Sequence, residues 1–134
     1  MEEGGNWRVV IFVNMNNSQF EDLDIWKESM RITLRVYEVM KLCKDFSFKD
    51  QIQRAAVSIP SNISEGFERQ TNKEFIQFLY IAKGSCGELR TQVYLGYQLK
   101  YIDKKNYTDL LDRTKQLSNM ISGFIKAREK FTSK

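Results

Sequence analysis

An all-α protein is what this sequence predicts, folded as an antiparallel up-down-up-down four-helix bundle, and three observations predict it. Glycine and proline are scarce, seven and one in 134 residues, which favours long uninterrupted helices over a turn-rich β fold. Apolar residues recur at three- and four-residue spacing through four successive stretches. The connections between those stretches are short, and short connections force neighbouring helices to run antiparallel. Apolar residues at 42% and charged residues at 28% describe an ordinary globular chain, long enough to bury one core.

The first helix is expected over residues 22–45, capped by Asp22 or Asp24. One of its apolar stripes reads Trp26, Met30, Thr33, Tyr37, Met40; a second reads Ile25, Ile32, Val36, Val39, Cys43. Two stripes exceed what one helix–helix contact needs, so the surplus, with Tyr94, Tyr97 and Tyr101, is expected at a subunit interface. The second helix follows Ser47 as N-cap and carries Phe48, Ile52, Ala55, Ala56, Ile59, Ile63 and Phe67, with Gly66 at its end. Pro60 falls inside it. A kink is expected there, or two helices in sequence, with the nearby Ser58, Ser61, Asn62 and Ser64 satisfying the freed backbone groups.

The third helix opens on a capping box, Thr71 with Glu74, and continues through Phe75, Phe78, Leu79, Ala82, Cys86, Leu89, Val93 and Gly96. Gly84 and Gly87 each cost about 1 kcal/mol relative to alanine in a helix interior, and a close helix approach is the expected compensation. Asp103 caps the fourth helix, whose stripe is Leu110, Leu111, Leu117, Ile121, Phe124, Ile125. The bundle thus occupies residues 20–130, with a tail at 131–134. Residues 1–19 read as an arm outside it. Alternating Trp7, Val9, Ile11 and Val13 within that arm would suit a short strand only if a partner strand were supplied.

Composition excludes several kinds of chemistry. Histidine is absent, which removes Ser-His and Cys-His nucleophile pairs, histidine proton shuttles and His-containing metal sites. Two cysteines, Cys43 and Cys86, cannot complete a four-cysteine metal site within one chain, and their apolar surroundings suit reduced thiols in a cytoplasmic protein. The longest apolar run, residues 9–13, is far short of the ~20 residues of a membrane span. No enzyme, cofactor, metal, membrane or small-molecule substrate is expected.

Net charge is +4, and its distribution is uneven. Residues 1–30 hold two basic and six acidic side chains; residues 31–134 hold 19 and 11. Such a body favours anionic partners. Lys27, Arg31 and Arg35, at i, i+4 and i+8, share one face of the first helix. Lys126, Arg128 and Lys130 enrich the end of the fourth, and Lys100, Lys104 and Lys105 gather at the corner between the third and fourth. The first two groups are the candidate nucleic-acid contacts, since phosphates need only lysine and arginine. A structural polar cluster is expected around Pro60, with Asn62 and Glu65 turned inward toward Arg54, Arg69, Ser85 and Glu88. The plainer expectation for Glu65 and Glu88 is pairing with Arg54 or Arg69.

Three strings carry a further signal: residues 54–66, RAAVSIPSNISEG; residues 74–79, EFIQFL; and Gly84-Ser85 followed by residues 88–92, ELRTQ. With residues 20–26, FEDLDIW, upstream, the chain resembles the bacterial four-helix-bundle proteins encoded in intervening sequences of 23S rRNA genes. That family is similar in fold to the accessory variability protein of diversity-generating retroelements, which binds nucleic acid and its reverse transcriptase. The resemblance implies a homo-oligomer of five copies and nucleic-acid binding, and it carries over no catalytic residue. Its alternative is a scaffold or adaptor, ribosome- or reverse-transcriptase-associated, without direct nucleic-acid binding.

Overall fold

The structure is a computed structural model and describes residues 19–132. A 3-10 turn, Phe20–Asp22, leads into α1 (Asp24–Val39), α2 (Phe46–Phe67), α3 (Asn72–Gln98) and α4 (Lys104–Thr132). Each helix packs against its neighbours in sequence, and α1 closes on α4. Paired contacts run in opposite directions along three seams, which fixes the direction of the fourth, α1–α2. Phe67 meets Phe75 while Phe48 lies near Gly96, and Phe75 meets Phe124 while Tyr94 meets Tyr107. Glu28 reaches Arg113 while Arg35 reaches Asn106. The bundle is therefore antiparallel throughout. The expected arm, apart from Gln19, lies outside the described residues.

The periodic positions form the core. Ile32, Val36, Ile52, Ile59, Ile63, Leu79, Cys86, Leu89, Leu117 and Ile121 are all buried. Both stripes of α1 contribute. Trp26, Thr33, Met40, Ile25, Ile32 and Val36 are buried and only Tyr37 is exposed, because α1 lies in the groove between α2 and α4. Most of the surplus expected on α1 is thus covered within the chain, and Leu34 and Tyr37 are what it leaves exposed.

Several boundaries differ from expectation. α1 ends at Val39, six residues early, because Asp45 is the N-cap of α2 in place of Ser47; its carboxylate accepts from the Phe48 N–H at 3.1 Å. Leu23 is the N-cap of α1, without a side-chain bond, and the Asp22 carboxylate accepts from the Gln19 N–H instead. The Thr71–Glu74 capping box forms, with Glu74 N–H to Thr71 Oγ1 at 3.1 Å, and Asp103 caps α4 through the Asn106 N–H.

α2 runs unbroken through Pro60. A proline has no N–H to give, so the carbonyl four residues back loses its helical donor. The replacement comes from the preceding helix, which packs alongside. Thr33 Oγ1 of α1 lies 3.0 Å from the Ala56 carbonyl and 2.8 Å from the Ser29 carbonyl, in a buried setting. The serines flanking Pro60 have other partners: Ser58 Oγ meets Ser85 Oγ at 2.8 Å, and Asn62 donates to the Ser58 carbonyl and hydroxyl.

The close approaches also fall elsewhere than expected. A Cβ on Gly84 or Gly87 would meet nothing within 4 Å, whereas one on Gly66 would lie 2.5 Å from Phe78 Cβ, and one on Gly96 2.7 Å from Ile102 Cδ1. Gly66 and Gly96 are the glycines that packing requires. Gly84 and Gly87 lie on the outer face of α3.

Candidate nucleic-acid interface

Position on the bundle and state of pairing decide which basic residues can meet a phosphate. On α1, Arg31 contacts Glu28 at 3.1 Å, and Glu28 reaches Arg113 of α4 at 3.4 Å. Arg113 and Arg35 share Asp109, Arg35 also contacts Glu38 at 3.1 Å, and its other nitrogen donates to Asn106 Oδ1. Three arginines and three carboxylates thus alternate along the α1–α4 seam. The stripe of Lys27, Arg31 and Arg35 exists as a face, but Arg31 and Arg35 are engaged in it, and Arg35 is partly buried. Lys27 is half-buried near the start of α1.

The second group sits at the end formed by the start of α1, the α2–α3 turn and the end of α4. Arg128 is a packing element there: its Nε donates to Asn72 Oδ1 at 2.9 Å, and its guanidinium lies over Phe75 and Phe131. Lys126 and Lys130 are exposed. Around them stand Glu21, Asp22, Asp24, Glu65, Glu68, Glu74 and Glu129, so acids match bases at this end.

The polar cluster expected around Pro60 forms only in part. Ser85 and Asn62 come together through Ser58. Glu65 is turned outward and pairs with Arg69 at 2.8 Å, Arg54 is exposed and pairs with Asp50 at 2.8 Å, and Glu88 is exposed. The helical register explains this: Ile63 and Gly66 take the inward positions on either side of Glu65, leaving a carboxylate one step too far round.

The opposite end is different. The antiparallel topology brings the α1–α2 and α3–α4 connections together there, held by Tyr101 Oη donating to Asp45 Oδ2 at 2.7 Å and by the Phe48 and Tyr101 rings, 5.3 Å apart. This end carries Lys41, Lys44, Lys49, Lys100, Lys104 and Lys105. Among the described residues none of the six is in an ion pair. Lys49 is half-buried, donates to the Lys41 carbonyl and lies 5.9 Å from the Phe46 ring centroid; the other five are exposed. Each local acid has a partner within the fold, two of them charged partners. Glu38 and Asp50 contact arginines, and Asp45 and Asp103 accept from helix N-terminal N–H groups. The Tyr101 hydroxyl, with help from the Phe48 N–H, holds the Asp45 carboxyl below its ordinary range, and the same bond holds the Tyr101 phenol above its own. Exposed apolar groups interleave with the lysines, Leu42 at 87% and Phe46 at 70%. Sequence reasoning singled out Lys100, Lys104 and Lys105 as a group; pairing the two loops that an antiparallel bundle must place together would have added Lys41, Lys44 and Lys49.

Lys100 has a second peculiarity. It follows α3 with φ at +67°, the left-handed region, and closes a Schellman turn: its N–H donates to the Tyr97 carbonyl, and the Tyr101 N–H to the Gly96 carbonyl at 2.9 Å. Glycine suits this position, and a side chain there costs about 1–2 kcal/mol. Lys100 borders a cleft of about 490 Å³, lined also by Tyr97, Tyr101, Asp103, Asn106 and Val39. Tyr97 is stacked on Tyr107, with centroids 4.1 Å apart.

Neither cysteine is placed for chemistry. Burial pushes the Cys86 thiol up to about 12, and Cys43 is half-buried. No group of three or more His, Cys, Asp or Glu residues among the described residues could hold a metal ion, and none of the described helices is long and apolar enough to cross a membrane.

Fold and charge pattern together define a small helical bundle with one strongly basic end. The chain belongs to the family described as 23S rRNA-intervening sequence protein, whose family model matches residues 21–123. It is similar in structure to a Bacteroides thetaiotaomicron protein of unknown function from the S23 ribosomal protein family. The TM-score is 0.71 at 24% identity, covering 76% of this chain and 98% of that one, and this likeness carries the fold alone. No curated protein matches the chain.

Proposed function

We propose that this protein is a non-enzymatic, cytoplasmic bundle that binds RNA or DNA through its basic end and works as a homo-oligomer. The observation that carries the binding is the set of six lysines that have no carboxylate partner among the described residues, gathered at one end. Charges already compensated within a fold add little to phosphate affinity, whereas free lysines release counterions when they meet a phosphate. The test is fluorescence anisotropy of a labelled structured RNA across a salt series. Affinity should fall steeply with salt; absence of binding at low salt would remove this reading in favour of a protein-interaction scaffold.

Assembly is supported by the outer face of α3. Tyr80, Ile81, Leu95 and Leu99 are exposed along it, with Ile81 at 51% and Leu95 at 48%, and the open Gly84 and Gly87 lie between them. Two helix-interior glycines cost about 1 kcal/mol each relative to alanine and gain no close packing within the chain, so a second copy is the natural compensation. Five copies, the number the resemblance implies, would repeat the basic end around an axis and add weak phosphate contacts through multivalency. Light scattering should give a multiple of 15.8 kDa. The double variant Ile81→Glu, Leu95→Glu should reduce it to one chain with the helical circular dichroism intact.

A further inference from the structure

The cleft beside Lys100 has features that a surface for generic phosphate contact does not need. Two tyrosine rings border it, and both are held in place: Tyr97 by its stack on Tyr107, Tyr101 by its hydroxyl bond to Asp45. Rings fixed before binding give up little freedom on contact, which suits them to receive another flat ring. Beside them, Asn106 and Asp103 set an amide next to a carboxylate. The Asn106 Oδ1 accepts from Arg35, which directs the amide NH₂ away from that bond as a donor, and the Asp103 carboxylate keeps acceptor capacity beyond its single bond to the Asn106 N–H. Donor and acceptor side by side can meet the edge of a nucleobase. Lys100 stands at the border of the same cleft in a backbone conformation that favours glycine, and it brings a charge to where a phosphate of the same nucleotide would lie.

We propose that this cleft takes one unpaired nucleotide of a single-stranded segment, its base against Tyr97 and Tyr101 and its phosphate on Lys100. The inference rests on the reading that the basic end binds nucleic acid, and it narrows that reading to strands with unstacked bases. A duplex keeps its bases paired inside and can offer the cleft only backbone. The five remaining lysines would follow the strand on either side, a combination of stacking groups and positive charge that suits single strands.

Anisotropy with a short labelled oligouridine and with a fully paired, loop-free RNA duplex, using the full chain, tests this. The single strand should bind about tenfold more tightly than the duplex. Lys100→Gly should weaken single-strand binding about fivefold and lower its salt slope by about 0.7, weaken duplex binding by no more than about twofold through the loss of one of six lysines, and raise Tm by about 2–4 °C through relief of the backbone. Lys100→Arg should retain the single-strand affinity. Equal affinity for the two RNAs, or a Lys100→Gly variant that binds oligouridine like its parent, overturns the assignment while leaving the general binding reading intact. Absence of binding to either RNA at low salt overturns both. Phosphatidylserine vesicles are the rival class: if they bind as tightly as oligouridine and lose that binding in Lys100→Gly, the cleft is a headgroup site and the proposal fails.

Discussion

The two ends of this bundle each gather basic side chains in the connections and the nearby helix turns, yet they are chemically opposite. At the end with the α2–α3 turn, Lys27, Arg69, Lys73, Lys126, Arg128 and Lys130 stand among seven carboxylates; Arg69 pairs with Glu65, and Arg128 packs on aromatic rings. At the other end, five lysines are exposed and a sixth, Lys49, is half-buried, and their nearby acids are already bound to arginines, backbone amides or a tyrosine hydroxyl. Capacity for an anionic partner follows from what the neighbouring acids are doing, and counting bases along the chain does not reveal it.

The contrast is broken most directly by charge. Replacing Lys41, Lys44, Lys104 and Lys105 together by glutamine should weaken RNA binding about tenfold to a hundredfold at low salt, and should flatten the salt slope by about 0.7–0.9 for each phosphate left without its lysine. The matching change at the other end, Lys126→Gln with Lys130→Gln, should alter affinity by no more than about twofold. Anisotropy on the two variants compares the ends under one assay. Equal losses would mean that the whole surface binds without regard to end.

Packing distinguishes the ends next. Gly66→Ala puts a Cβ against Phe78 Cβ, an atom fixed to the α3 backbone, so the start of α3 must shift. A loss of about 2–3 kcal/mol is expected in urea unfolding. At the basic end, a Cβ at position 96 meets the ends of the Ile102 and Phe48 side chains rather than an atom fixed to a backbone, and gains about 1 kcal/mol of helix propensity, so Gly96→Ala should cost less than Gly66→Ala, about 1–2 kcal/mol.

A third test lies midway between the ends. Thr33→Val leaves the Ala56 carbonyl buried without a donor and should cost about 1–3 kcal/mol. In a Pro60→Ala background the new N–H at position 60 can serve that carbonyl, so the cost of Thr33→Val should fall. A double-mutant cycle measures this coupling. If the two effects simply add, the threonine does not stand in for the missing amide.

The smallest effect concerns pH at the basic end. Asp45 has a lowered folded pKa, so its bond to Tyr101 contributes above the carboxylate's ordinary value of 3.8 and is lost as pH falls through the folded value. Tyr101 has a raised one, so the same bond contributes below the phenol's ordinary value of 10.0 and is lost as pH rises through the folded value. The Tm difference between the parent and Tyr101→Phe should therefore be constant through the neutral range and shrink at both extremes. A difference that changes between pH 5 and pH 9, roughly, would contradict this.

Much of the architecture was legible because it depends on period and on local chemistry. Ile52, Ile59 and Ile63, or Leu79, Cys86 and Leu89, recur at helical spacing whatever surrounds them, and the Thr71–Glu74 box joins residues three apart. The interface was less legible because it depends on which helix faces meet. Arg31 and Arg35 looked available until α4 supplied Glu28 with a shared arginine, Arg113, and Arg35 with Asp109. Gly84 and Gly87 look like packing glycines in the sequence, but Gly66 and Gly96, in the last turns of α2 and α3, are the ones pressed against Phe78 and Ile102. The donor that replaces the missing Pro60 amide lies 23 residues upstream of Ala56, on α1, outside any local pattern around the proline. The backbone of Lys100 depends on how α3 stops, and nothing in the residue itself announces a left-handed turn.

The burial of Cys86 has a consequence for measuring this protein. A thiol reacts with alkylating reagents as its thiolate, and Cys86 is both enclosed at the centre of α3 and held far from ionisation, up to about 12. Cys43, in the α1–α2 connection, is only half-buried. A pulse of iodoacetamide should therefore mark Cys43 in the folded state and reach Cys86 only when α3 parts from its neighbours. The chain thus contains its own clock for opening: label at position 86 accumulates at the rate or equilibrium of unfolding, and label at position 43 serves as the internal standard.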